Sequence, residues 1–79
     1  MTTRLSKEGI LYKKDYSMKL EFQFEHLHGE NFFKFKVLKL KSWEGIVRTY
    51  EKSSEFSFMK EEEFINYLYN KGYLDNKQL

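Results

Sequence analysis

The sequence predicts an α+β fold, a four- to five-stranded antiparallel β-meander with one C-terminal α-helix packed on the sheet. Three observations lead there: two-residue alternation of apolar and polar side chains in two stretches between Lys19 and Lys41, turn-forming clusters that separate further short apolar stretches, and a switch to helical spacing after Lys60.

Residues Gly9 to Lys13 read as a first strand, set apart from the next by the polar cluster Lys14-Asp15-Tyr16-Ser17. Leu20, Phe22 and Phe24 then alternate with Lys19, Glu21, Gln23 and Glu25, as on a half-buried strand. A two-residue turn at Gly29-Glu30, with glycine first as a type II′ turn favours, leads to a partner strand in which Phe33, Phe35 and Val37 alternate with Lys34 and Lys36. Beyond Val37 the phase slips, because Leu38 and Leu40 become the apolar positions. A β-bulge at Val37-Leu38 would restore one apolar face. The expected register sets Glu25 against Lys34, Phe24 against Phe35 and Phe22 against Val37, then Glu21 against Lys39 and Leu20 against Leu40. Apolar meets apolar and acid meets base throughout. Trp43-Glu44-Gly45 turns the chain into a strand at Ile46 to Tyr50, and Lys52-Ser53-Ser54 into another at Phe56 to Phe58.

From Lys60 onwards Phe64, Ile65 and Leu68 form one helical stripe with Tyr67 and Tyr69 at its margins. Glu61, Glu62 and Glu63 occupy the first turn, Lys71 the last, and Gly72 the position after it, which is the charge order and cap that a helix favours. Tyr73 and Leu74 are expected to fold back, with residues 1–8 and 75–79 frayed.

The chain's 79 residues suit a single domain, which at this size hides roughly 60–65% of its unfolded surface. There is no cysteine to staple it, so eight Phe, six Tyr and one Trp must supply the buried area. The absence of disulfides and of any long apolar run points to a cytoplasmic protein. A net charge of +2, from 14 basic and 12 acidic groups, does not by itself announce nucleic-acid or membrane binding. The chain has neither proline nor alanine and is rich in Lys, Glu, Phe, Tyr and Asn, residues with AT-rich codons, which suggests a low-GC bacterium or one of its mobile elements.

The inventory for catalysis is thin. A thiol nucleophile is excluded, the serines lack a strand-to-helix elbow, and the four glycines are isolated from one another, so the chain reads as a non-enzyme without a cofactor. His26 and His28, two apart on a strand, could share a metal if Glu30 joined them, but His-x-His alone is more simply a strand end. Glu61, Glu62 and Glu63 point in three directions around a helix and serve its dipole.

Two surfaces remain as candidates. Leu27 and Phe32 fall on the polar face and, with Tyr67 and Tyr69, would make a protein-binding spot. In the bulged register Lys34, Lys36, Lys39 and Lys41 line one solvent face that ends at Trp43, with Arg48 on the neighbouring strand. A cationic sheet face with an aromatic edge can hold a phosphate backbone and stack bases. The same lysines could equally serve cross-strand pairing with Glu21 and Glu25 on a wet face. The leading expectation is a small protein-interaction module, such as an inhibitor or adaptor from a phage or mobile element. The alternative is a single-stranded nucleic-acid-binding protein, and a homodimer through sheet edges is a further possibility. In element order, a sheet followed by a helix at Lys60-Glu61-Glu62-Glu63-Phe64 resembles the single-strand-binding transcription coactivators over the last half of the chain. That family's longer strand signature has no match in Trp43-Glu44-Gly45-Ile46-Val47-Arg48, so its dimerisation and DNA binding do not transfer.

Overall fold

In the computed structural model, which describes residues 5–74, the chain forms β1 (Glu8–Tyr12), β2 (Met18–Leu27), β3 (Glu30–Glu44), β4 (Val47–Lys52), β5 (Ser57–Lys60) and α1 (Glu61–Lys71). All strand pairings are antiparallel, in the order β1-β2-β3-β4, and β5 also pairs with β3. The long β3 makes this possible. One of its edges carries β2, while the other serves β5 at Phe32 to Phe35 and β4 from Leu38 onwards. The linker serines fill the break between those two partners: the Ser53 and Ser54 N–H groups donate to the Val37 carbonyl at 2.9 and 3.3 Å, and the Val37 N–H donates to Ser54 Oγ at 3.2 Å. No backbone group of Val37 is left without a partner.

The β2–β3 hairpin turns one residue earlier than its sequence suggests. Leu27 pairs with Glu30, and the two loop residues His28 and Gly29 both have positive φ (52° and 78°), as a type I′ turn requires. The register therefore differs from the expected one by two residues at Phe24 and Phe22, which face Phe33 and Phe35, and by three at Leu20 and Glu21, which face Val37 and Lys36 because no bulge intervenes. The two-residue offset keeps Phe22, Phe24, Phe33 and Phe35 on their expected face, while beyond Val37 the three-residue offset moves Leu38, Lys39 and Leu40 to the side opposite the expected one. The bulge expected at Val37-Leu38 is absent, because β2 and β3 pair without interruption from Leu27–Glu30 to Met18–Lys39. The irregularity lies instead at Lys41, between Leu40 and Ser42, against β4.

One face of the sheet is covered. Leu20, Phe22, Phe33 and Phe35 meet Phe64, Leu68 and Tyr73 in a single buried cluster. Phe64 stacks on Phe33 and tilts against Phe35, both at 5.0 Å between ring centroids, and reaches Phe22 at 5.7 Å. Gly9 on β1 lies beside this cluster, where a Cβ would come within 3.1 Å of the Phe22 ring. Gly72 ends the helix at φ 87°, and the Tyr73 N–H donates to the Leu68 carbonyl at 2.8 Å, which folds the Tyr73 ring back into the core. At the other end the Phe24 N–H donates to the Lys7 carbonyl and β1 begins at Glu8, so the chain is tied down inside the segment expected to fray. Residues 1–4 and 75–79 lie outside the described residues.

The helix does not reach the far end of β3. Pairing with β2 stops at Lys39, so residues 41–44 and 47–49 continue as a two-stranded ribbon, and the molecule measures 44 × 29 × 18 Å.

Candidate binding face

Among the described residues the sheet face opposite the helix is bare. Alternation sends Ile10 and Tyr12 of β1, Lys19 and Glu21 of β2, Lys34 and Lys36 of β3, Arg48 and Tyr50 of β4 and Phe58 of β5 to this side. Many are solvent-open: Trp43, Ile10, Phe56 and Phe58 are each about half exposed.

At the ribbon end three rings gather around one cation, and a fourth, Tyr50, packs on Tyr12. Trp43 and Arg48 are cross-strand partners. The Arg48 guanidinium carbon lies 3.9 Å from the Tyr16 ring centroid, 5.3 Å from Trp43 and 5.5 Å from Tyr12. The rings also touch one another, with Tyr12–Tyr16 at 5.7 Å, Tyr12–Tyr50 at 5.8 Å and Tyr16–Trp43 at 5.9 Å. Lys19 Nζ sits 5.3 Å from the Tyr50 ring.

Local chemistry fixes this arrangement. Tyr16 adopts φ 62°, a left-handed conformation that costs a residue with a Cβ about 1–2 kcal/mol. The surrounding turn holds it there. The Tyr16 N–H donates to the Lys13 carbonyl (2.9 Å), the Lys13 N–H to the Met18 carbonyl (3.1 Å), and the Tyr50 hydroxyl to the Tyr16 carbonyl (2.7 Å). Asp15 closes the turn by accepting from the Ser17 hydroxyl (2.7 Å) and the Ser17 N–H (3.0 Å), bonds that lower its carboxyl pKa. On the ribbon, the Trp43 indole N–H donates to the Gly45 carbonyl at 3.0 Å.

At the other end of the face Lys34 and Lys36 sit over Phe56, 4.4 and 5.2 Å from its centroid. Together with Ile10, Glu21 and Gln23 they line an open depression of about 470 Å³. The charges differ in how far they are neutralised. Glu21 lies between Lys19 (3.5 Å) and Lys36 (3.7 Å), Lys60 pairs with Glu30 and Lys52 with Glu55, both at 3.0 Å. The Glu30 contact raises the Lys60 pKa. Among the described residues neither Arg48 nor Lys34 has a carboxylate within salt-bridge distance.

The structure redistributes the residues singled out from the sequence. Lys34, Lys36, Trp43 and Arg48 share the bare face, but the four-lysine row does not exist. Without a bulge at Val37-Leu38, simple alternation puts Lys39 on the opposite side from Lys34, and Lys41 is the bulge residue itself. Leu27 and Phe32 do lie on the bare face, while Tyr67 and Tyr69 belong to the helix across the sheet. Tyr67 packs its ring on Phe35 at 5.3 Å, and burial raises its hydroxyl pKa. Those four residues therefore form no common patch. His26 Nδ1 lies 2.8 Å from Asn31 Oδ1, and among the described residues no three His, Asp or Glu side chains are grouped to hold a metal.

Sequence reasoning missed Tyr12, Tyr16, Tyr50 and Phe56. Part of the signal was available, since Ile10 and Tyr12 alternate with Gly9 and Leu11, and Tyr50 stands two residues from Arg48 and so on the same face. Tyr16 had no such signal, because a turn residue obeys no strand alternation. No described helix is long and apolar enough to cross a membrane. The chain matches no family model, no curated protein and no solved structure.

Proposed function

We propose that the protein binds single-stranded nucleic acid along the bare face of its sheet. The observation that carries this reading is that Arg48 and Lys34 stand on that face as cations without a carboxylate partner among the described residues, each seated on solvent-open aromatic rings. Such a surface suits a ligand that alternates anionic and flat apolar groups, and each nucleotide supplies one of each. The guanidinium stacked on Tyr16 keeps its N–H fork for phosphate oxygens, while Trp43 and Phe56 offer faces for bases. From Lys34 to Trp43, β3 spans about 30 Å at ~3.3 Å per residue, which is room for several nucleotides.

A second reading rests on a different observation. Ile10, Leu27 and Phe58 add exposed apolar area to the same face (50%, 37% and 50%), and with Trp, Tyr and Arg beside them this is also the composition of a protein-docking hot spot.

Fluorescence anisotropy with labelled single- and double-stranded oligonucleotides tests the first reading. At about 0.7 in slope per neutralised phosphate, contacts from Arg48, Lys34 and Lys36 weaken single-strand affinity about 20-fold between 50 and 200 mM salt. The Arg48→Gln variant loses about 0.7 of that slope. If neither strand type binds at 50 mM salt the proposal fails. The docking reading gains if, in addition, Leu27→Ser and Phe58→Ser abolish a stoichiometric protein complex that the parent chain forms.

A further inference from the structure

The β3–β4 turn presents a side chain that its own fold does not use. Glu44 pairs with Val47, which leaves Gly45 and Ile46 as a two-residue loop. Gly45 has φ 61° and Ile46 does not have positive φ, the pattern of a type II′ turn with glycine first. The second loop position normally takes a small polar residue. Here it holds an isoleucine that is 97% exposed, followed by Val47 at 61%. The apex is also held in place: the indole of Trp43 folds over the turn, with its N–H on the Gly45 carbonyl.

The placement of this knob ties it to the proposed binding face. The ribbon of residues 41–49 runs on past the end of β2 pairing, so Ile46 stands clear of the sheet body. Trp43 and Arg48 form the last ring and cation of the bare face and lie within the same ribbon. A strand laid along that face from Phe56 towards Trp43 would run off directly onto Ile46. Exposed Lys41, the bulge residue, stands on β3 ahead of the tip, with Arg48 across from Trp43 on β4. An apolar β-branched group projecting from a cationic ribbon has the chemistry of the wedges that enter between stacked bases.

We infer that the β3–β4 tip is such a wedge, with Ile46 as the inserted group, and that the preferred ligand is a single strand adjoining a paired segment. This rests on the single-strand reading and goes beyond it by assigning the fork between paired and unpaired strands to the tip. A forked oligonucleotide with 2-aminopurine at the first paired position provides the test, beside an unpaired strand of equal length. The parent protein raises 2-aminopurine emission on the fork and binds it about fivefold or more tightly than the single strand. Ile46→Ser, a change at a fully exposed loop position, removes both effects and leaves single-strand affinity unchanged, and Ile46→Leu restores them. The wedge is overturned if the fork is not preferred, if Ile46→Ser still raises the emission, or if Ile46→Ser weakens single-strand binding equally, which makes Ile46 an ordinary contact. Absence of binding to every oligonucleotide overturns the single-strand reading as well, so the two failures are distinct.

Discussion

The molecule contains two aromatic clusters with nearly the same spacing and opposite surroundings. Under the helix, Phe22, Phe33, Phe35 and Phe64 meet at 5.0 to 5.7 Å with no charge among them, and every ring is buried. On the bare face, Tyr12, Tyr16, Trp43 and Tyr50 meet at 5.7 to 5.9 Å, but three of them, Tyr12, Tyr16 and Trp43, surround a guanidinium and Trp43 is half open to water. Ring contact is therefore not what separates the two. The helix makes the difference, because removing apolar area from water contributes roughly 25 cal/mol per Å² whereas an exposed cation–π contact contributes only about 0.5–1 kcal/mol. The first cluster holds the fold together. The second is held in shape by its hydrogen-bonded turn and leaves Trp43 half open to water.

Substitutions can break this contrast, and the largest effect is expected in the covered cluster. Phe64→Ala removes a fully buried ring that touches three others and should cost about 3–5 kcal/mol in urea unfolding. That would leave a domain of this size close to unfolded. Trp43→Ala is the counterpart on the bare face: stability changes by less than about 1 kcal/mol, while oligonucleotide binding weakens by the ~1–3 kcal/mol of one stacked base. Equal losses of stability in the two variants would show that the clusters do not divide the work.

Tyr16→Gly sharpens the comparison further. Glycine relieves a left-handed backbone worth about 1–2 kcal/mol but removes the ring nearest Arg48, so stability holds within about 1 kcal/mol while affinity falls. A large loss of stability would mean that Tyr16 serves the fold. The smallest effect concerns alkaline pH. Burial pushes the Tyr73 hydroxyl up to about 12, above its unfolded value near 10. With the folded pKa raised, its contribution is complete below pH 10 and is lost as pH rises towards 12. Unfolding followed across that window should show falling stability, and Tyr73→Phe should flatten the decline.

Much of the covered half was legible in the sequence. Leu20, Phe22, Phe33 and Phe35 follow strand alternation, and Glu61 to Gly72 carries both the charge order and the cap of its helix. What was not legible has physical causes. His28 rather than Glu30 shares the turn with Gly29, because a histidine can adopt positive φ at modest cost. The apolar slip at Val37-Leu38 resembles a bulge on paper, yet it marks the place where cover from the helix gives out. There Leu38 and Leu40 turn to the other face, with Leu40 opposite Tyr50, and the strand itself continues unbroken. The tyrosine cluster depends on Tyr12, Tyr16 and Tyr50 meeting across β1, a turn and β4. Local periodicity carries no record of such a meeting.

Trp43 is the chain's single tryptophan, so its emission reports from the bare face alone. The decisive measurement is a titration of that emission with unlabelled oligothymidine at low salt and again with added salt. Quenching that saturates, weakens with salt and shifts to lower affinity in Arg48→Gln is the predicted result, whereas emission that stays constant at every oligonucleotide concentration would contradict single-strand binding on this face.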